Sequence, residues 1–374
     1  MSFSYLPQEL KEAVLIHLAP KALASVCLVS KATLHLARPF LYRSISCNRP
    51  TPESTEGVAP GPQRRANLDR TLKAHPEWCT YTRDFLLELN TCWQEDEDHA
   101  LRLLAFFPNL NSLTILTQGF ARPSTTACTI LVADCPRSLS LLNLEHCRFP
   151  PFVILKLLEN LPNLNSLTLG SKETSHWIPS SSSLVLNHLH VLKCLKYRPE
   201  HALFGAIATS TQSLTRLHIN FVLVQDLEHV NLSQLLDLSI QGDLADVVFL
   251  DTSKGLVSIL DRCTSLRSFK MFDSGSWHNE GSVYQLESQE ILHHLPLSLQ
   301  SLTLVSITFT HPYLSGFLST TPIPLRYLEL SRPDSFFHTG ASPVCDTSAE
   351  EDIEEVCERR NIHLAWIDVG KEAA

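Results

Sequence analysis

The chain has 374 residues, 44% of them hydrophobic and 18% charged, so it can bury a substantial core and has room for more than one domain. Its formal net charge of −9 excludes the broad basic footprint of a nucleic-acid-binding protein. No run approaches the ~18 consecutive apolar residues of a membrane span. Eleven cysteines lie scattered with no C-x-x-C pair, and the start MSFSYLPQELKE lacks the basic and apolar regions of a secretion signal. Reduced thiols and a cytoplasmic or nuclear location are therefore expected.

In chain order, residues 1–47 read as three short helices. Pro7 suits a first helical position. Leu6, Leu10, Val14, Leu15 and Leu18 form one apolar stripe at helical spacing. Pro20 opens a second helix carrying Leu23 and Cys27, and a third runs through Leu34, Leu36 and Phe40. About 40 residues make too small a core to stand alone, so the unit needs a partner surface or the neighbouring domain. The string LPQEL…VLIHL…VCLVSK resembles an F-box, and the tail LARPFLYRSI resembles the end of that domain in fungal F-box proteins with leucine-rich repeats. Ala22 stands where the family often has an acid. The resemblance implies docking on the Skp-family adaptor of a cullin–RING ubiquitin ligase. The expected adaptor-binding residues are Leu6, Pro7, Leu10, Val14, Leu15, Leu18, Leu23, Cys27 and Val29. Five cations outnumber Glu9 and Glu12 in this segment, which suits an acidic adaptor. The competing reading is a helical cap that buries its stripe against the next domain.

Residues 48–79 read as a proline-rich linker and lead-in. The part from Pro50 to Gln63 resembles a PEST-type turnover signal, and a plain solvated hinge explains its composition as well.

Residues 80–346 carry a repeat. PNLNSLT occurs twice, starting at Pro108 and at Pro162. Nine copies of L-x-x-L-x-L begin at Leu110, Leu139, Leu164, Leu186, Leu214, Leu235, Leu266, Leu299 and Leu325. RDFLLELN from Arg83 looks like a degenerate earlier strand. Positions four and six of each copy, such as Leu113 and Ile115 or Leu189 and Val191, are large and apolar. Strand alternation turns both toward the core. Helical patterns fill several intervals, among them DHALRLLAFF and PPFVILKLLENL. A strand and a helix recurring every 20–30 residues resembles a leucine-rich repeat. The expected fold is α/β, a solenoid of short parallel strands with helices on its convex side, behind a three-helix F-box. The alternative is an ordinary α/β domain with leucine-rich strands. Residues 347–368 should form a capping helix and a last strand, with acids early and Arg359 and Arg360 late to suit the helix dipole.

Positions three and five face away from the core. In that frame His188, His190, Arg216 and His218 form one patch, and Asp237, Lys270 and Tyr327 extend the row. Three readings apply to the patch: a metal site, a surface for an acidic or phosphorylated segment of a target, or polar residues on a wet strand face. The expectation carried forward is target binding, with no metal and no cofactor. Nucleophile-elbow, phosphate-loop and zinc-helix motifs are missing from the sequence, so the chain is read as a non-enzyme. The expected function is target recognition for a Skp–cullin–F-box ligase. A stand-alone leucine-rich-repeat binding scaffold is the alternative.

Overall fold

A computed structural model describes residues 5–47, 61–90, 94–118, 123–145, 147, 149–170, 184–194, 201–242, 252–273, 288–305, 311–331 and 347–367. The chain divides into two compact units, Met1–Leu167 and Thr168–Ala374.

The first unit opens with three helices, α1 (Gln8–Leu15), α2 (Pro20–Cys27) and α3 (Lys31–Leu41). Pro7 precedes α1 as its N-cap, one position earlier than expected, and Pro20 occupies the first turn of α2. Ser30 and Thr33 cap the start of α3 with a reciprocal capping box. Leu15, Leu23 and Ala37 form the small core, with Leu18, Val26, Leu36, Phe40 and Leu41 packed on it.

The next segment departs from expectation. Strand β1 (Ser44–Cys47) pairs in parallel with β2 (Asp84–Asn90), Ile45 opposite Phe85. The tail YRSISC thus acts as a repeat strand, with Ile45 buried like a fourth-position leucine. Part of the expected linker is also helical: α4 (Gly61–Ala74) and a 3-10 turn (Pro76–Tyr81) lead into β2. Leu72 and Cys79 supply the buried side chains there. The helix was hard to read because its only leucines are Leu68 and Leu72. Arg38 lies 4.8 Å above the Trp78 ring and Tyr42 packs 4.9 Å from it, which ties α3 to this turn.

After β2 come α5 (Gln94–Arg102), β3 (Ser112–Gln118), α6 (Thr125–Asp134), β4 (Leu141–Leu144), α7 (Pro151–Glu159) and β5 (Ser166–Leu169). Helix α6 has apolar residues on every side and so shows no stripe in sequence. Its start is marked by Ser124, whose Oγ accepts from the Ala127 amide at 2.9 Å.

The second unit holds β6 (Val191–Cys194), α8 (His201–Thr209), β7 (Arg216–Asn220), β8 (Asp237–Gly242), α9 (Thr252–Arg262), β9 (Ser268–Asp273), α10 (Ser288–His293), β10 (Ser301–Val305), α11 (His311–Thr320), β11 (Tyr327–Ser331), α12 (Thr347–Arg360) and β12 (His363–Ile367). Strand order in the sheet follows chain order within each unit, and β6 to β12 all pair in parallel. Helix α12 and β12 are the expected cap, and Arg360 donates to the carbonyls of Leu318 and Ile323.

One hydrogen-bond device recurs. The carbonyl at position two of several repeats accepts two successive amides from the next. Asn111 takes those of Ser140 and Leu141, and Thr215 takes those of Leu236 and Asp237. Leu236, Arg267 and Gln300 continue the series. A serine just before the first leucine adds to it. Ser138 Oγ donates to Leu110 O at 2.7 Å, and Ser298 Oγ to Leu266 O at 2.7 Å. These bonds satisfy the polar backbone where the chain enters each strand.

Candidate functional site

The nine expected adaptor-binding residues separate into two groups. Leu15 and Leu23 are buried in the three-helix core, with Leu18 and Cys27 half-buried against it. These four hold the unit together, and burial raises the Cys27 thiol pKa. Leu10, Val14 and Val29 stay exposed at 52%, 44% and 74%. Pro7 is exposed and Leu6 half-buried. Leu10 and Val14 sit one turn apart on α1, so they share a face. Sequence reasoning missed Tyr5, Ile16 and Leu28, which are exposed as well. Leu28 follows the end of α2, so helical periodicity could not place it.

The strand row needs one correction. His188 and His190 do not occupy positions three and five. Strand β6 pairs Val191 with Arg216, Leu192 with Leu217 and Lys193 with His218. The repeat therefore starts at Leu189, and Leu192 and Cys194 are its buried pair. Three further contacts agree. The His190 carbonyl accepts the amides of Thr215 and Arg216, the role of position two. Ser213 Oγ donates to Leu189 O at 3.1 Å, as Ser138 does to Leu110. Cys194 is 1% exposed, as a sixth-position residue should be. His190 Nδ1 lies 2.7 Å from Ser213 O, and His188 is exposed outside the strand. The error arose because Leu186, Leu189 and Leu192 satisfy the pattern in two phases. Spacing held the signal: starting at Leu189 turns uneven neighbouring intervals into 25 residues on each side.

The corrected frame brings a residue into the row that the sequence reading had omitted. Lys193 is opposite His218 in register. Across the row, Arg216 faces Asp237, His218 faces Ser239, and Ser239 faces Lys270. Arg216 and Lys270 are exposed, Lys193 and His218 half-buried. His218 Nε2 stands 4.0 Å from Asp237 Oδ2. The ring has its pKa lowered, first by burial and then by Lys193, Lys270 and Arg216, with Asp237 alone raising it. The Asp237 Oδ1 is buried with no hydrogen-bond partner. Among the described residues no group of three or more His, Cys, Asp or Glu could hold a metal ion.

Tyr327 lies farther along the row, in β11, stacked on His363 with ring centroids 5.5 Å apart. Its neighbour Glu329 accepts from Thr303 Oγ1 at 3.0 Å. These residues form a separate, less basic part of the same face. Most of the stretch from Pro50 to Gln63 that resembles a turnover signal lies outside the described residues. No helix among the described residues is long and apolar enough to cross a membrane. No known family model matches the chain, and no curated protein matches it.

Proposed function

We propose that the chain is the target-recognition subunit of a Skp–cullin–F-box ubiquitin ligase. In this reading the N-terminal helices dock on the Skp-family adaptor and the leucine-rich repeats hold a target protein on their strand face. The ligase chemistry then belongs to partner subunits. The observation that carries the reading is the exposure of large apolar side chains among residues 5–29. Leu10, Val14, Leu28 and Val29 stay open to solvent although Leu15 and Leu23 beside them are fully packed. A cap evolved to seal a repeat array would turn its stripe inward. A stand-alone scaffold would likewise bury Leu10 and Val14 against the first repeat, and their exposure favours docking instead.

The test is co-purification of the full chain with a Skp-family adaptor. The double variant Leu10→Asp, Val14→Asp should weaken recruitment by at least about tenfold, because two apolar contacts are lost and two charges would be desolvated. Both positions are exposed, so the variant should fold as the parent does. Equal recruitment of parent and variant would overturn the reading.

A further inference from the structure

We infer that the groove between α6 and α7 binds a fatty carboxylate of about ten carbons, with its chain along the helices and its carboxylate held by Arg137 and Lys156. The groove has a volume of about 610 Å³. It lies within the first unit and involves neither the expected adaptor-binding residues nor the strand row, so the inference stands apart from the ligase reading.

Side-chain size opens the groove. Helix α6 lines it with Thr125, Cys128, Thr129, Val132 and Ala133, which are all short. Helix α7 supplies Phe152, Val153 and the stem of Lys156. Phe152 stays 42% exposed although Val153 and Ile154 beside it are buried. The helices meet at one end, where Asn160 Nδ2 donates to Val132 O in the last turn of α6 at 3.3 Å. Lys156 sits one turn before Asn160, and Arg137 follows the end of α6. Both cations therefore stand at that closed end, with Pro123, Pro150 and Phe152 at the other. From Phe152 to Asn160 the groove runs about 12 Å, at ~1.5 Å per helical residue. A zigzag chain of ~1.5 Å carbon–carbon bonds advances ~1.25 Å per carbon, so about ten carbons cover it.

Charge and polarity then select the ligand. Arg137 and Lys156 are exposed, and among the described residues neither makes a salt bridge. No carboxylate lines the groove, since Asp134 and Glu159 lie off it. The C-terminal ends of α6 and α7 contribute about −0.5 each. The two cations thus leave about one net positive charge, which a single carboxylate cancels. A phosphate monoester, at about −1.5 to −2, exceeds it. The hydroxyl of Thr129 already donates to Thr125 O at 2.9 Å, and the Asn160 amide to Val132 O. The floor beyond the cations is therefore hydrocarbon, which calls for an apolar tail. A peptide helix of the same 12 Å length occupies on the order of 900 Å³ and is too large for the groove. Burial pushes the lining Cys135 thiol up to about 12, so the ligand is held without a covalent bond.

Affinity should grow with chain length and then level off. Each methylene laid against Phe152 and Val153 leaves water, which should tighten binding about twofold to fourfold per carbon. Beyond about ten to twelve carbons the chain passes Pro123 and gains no further contact. The carboxylate should add about fivefold over a neutral head group, as a charge pair at a partly solvated site does.

The experiment titrates the full chain by calorimetry with hexanoate, octanoate, decanoate and decanol, each below its micelle concentration. Decanoate should bind most tightly, with octanoate and hexanoate weaker in that order. The double variant Arg137→Gln, Lys156→Gln should bring decanoate down to the level of decanol. Ala133→Trp and Thr129→Trp, each at an exposed position, should fill the groove and weaken decanoate at least about tenfold with the thermal midpoint unchanged. Two blocking variants are made so that one remains if the other fails to fold. No binding of decanoate, equal binding of hexanoate and decanoate, decanol binding as tightly as decanoate, or full binding by the blocking variants would each overturn the proposal. Neither adaptor nor target takes part, so the outcome is independent of adaptor recruitment.

Discussion

His218 shows at the level of one residue how a strand face stores an electrostatic imbalance. Its ring is half-buried, its pKa lies below the ordinary histidine value, and the causes are burial followed by three neighbouring cations. The unfolded chain therefore binds a proton at a pH where the folded chain does not, and stability rises with pH through that window. The benefit of a neutral His218 is complete above the unfolded value of about 6.5 and is lost as pH falls toward the folded value. His218→Gln should accordingly flatten the loss of thermal midpoint between about pH 7 and about pH 5, measured by circular dichroism. A variant whose pH profile parallels that of the parent would show that the ring is not electrostatically burdened. The buried cysteines behave differently. Cys147 donates from Sγ to Ile115 O at 2.9 Å, and burial drives its thiol pKa far up, so it acts as a core residue.

Among the elements, β6 decides the register of the surface. Leu192 is fully buried, whereas Val191 is half-buried on the opposite face opposite Arg216. Leu192→Ala should cost about 2–5 kcal/mol through lost burial and the cavity left behind. Val191→Ala should cost less than about 1 kcal/mol, being a small change on a partly solvated face. Urea unfolding of the two variants checks this, and a reversed order would restore the frame that starts at Leu186. Most strands and helices were legible because their apolar residues follow period 2 or 3.6, as in SLTILTQ and PFVILKLLE. The misplaced patch histidines trace to three leucines spaced by three, where periodicity alone allows two phases. Helix α6 was missed for another reason: its exposed face carries Thr125, Thr126, Thr129 and Ala133, which contrast too weakly with the buried side to leave a stripe.

For the molecule as a whole, the border between the N-terminal helices and the repeats runs through a shared ladder. β1 hydrogen-bonds along β2, the Arg43 carbonyl accepts the amides of Arg83 and Asp84, and Thr82 Oγ1 donates to Tyr42 O at 3.0 Å. Removing residues 1–47 therefore uncovers the edge of β2 as well as deleting α1 to α3. An open parallel edge with unpaired amides invites self-association. The truncated chain should have a lower thermal midpoint and elute as larger species on size exclusion, while the Leu10→Asp, Val14→Asp variant stays monodisperse. If truncation left both properties unchanged, the ladder would not extend to β1. For the same reason adaptor recruitment is better tested with the point variants, because truncation confounds docking with integrity of the first repeat.

The amino-acid sequence by itself determined the repeating strand and helix, the core face of most strands and the capping pair at the end. Each of these follows from local alternation or end chemistry written within a few residues. Tertiary structure decided three things that local pattern leaves open. Hydrogen bonds from neighbouring strands chose Leu189 over Leu186, and that choice moved His188 and His190 out of the patch and Lys193 into it. Pairing with β2 turned Ser44–Cys47 into a repeat strand. Packing of three helices around Leu15, Leu23 and Ala37 settled which apolar residues are spent on the core and which, led by Leu10 and Val14, stay exposed.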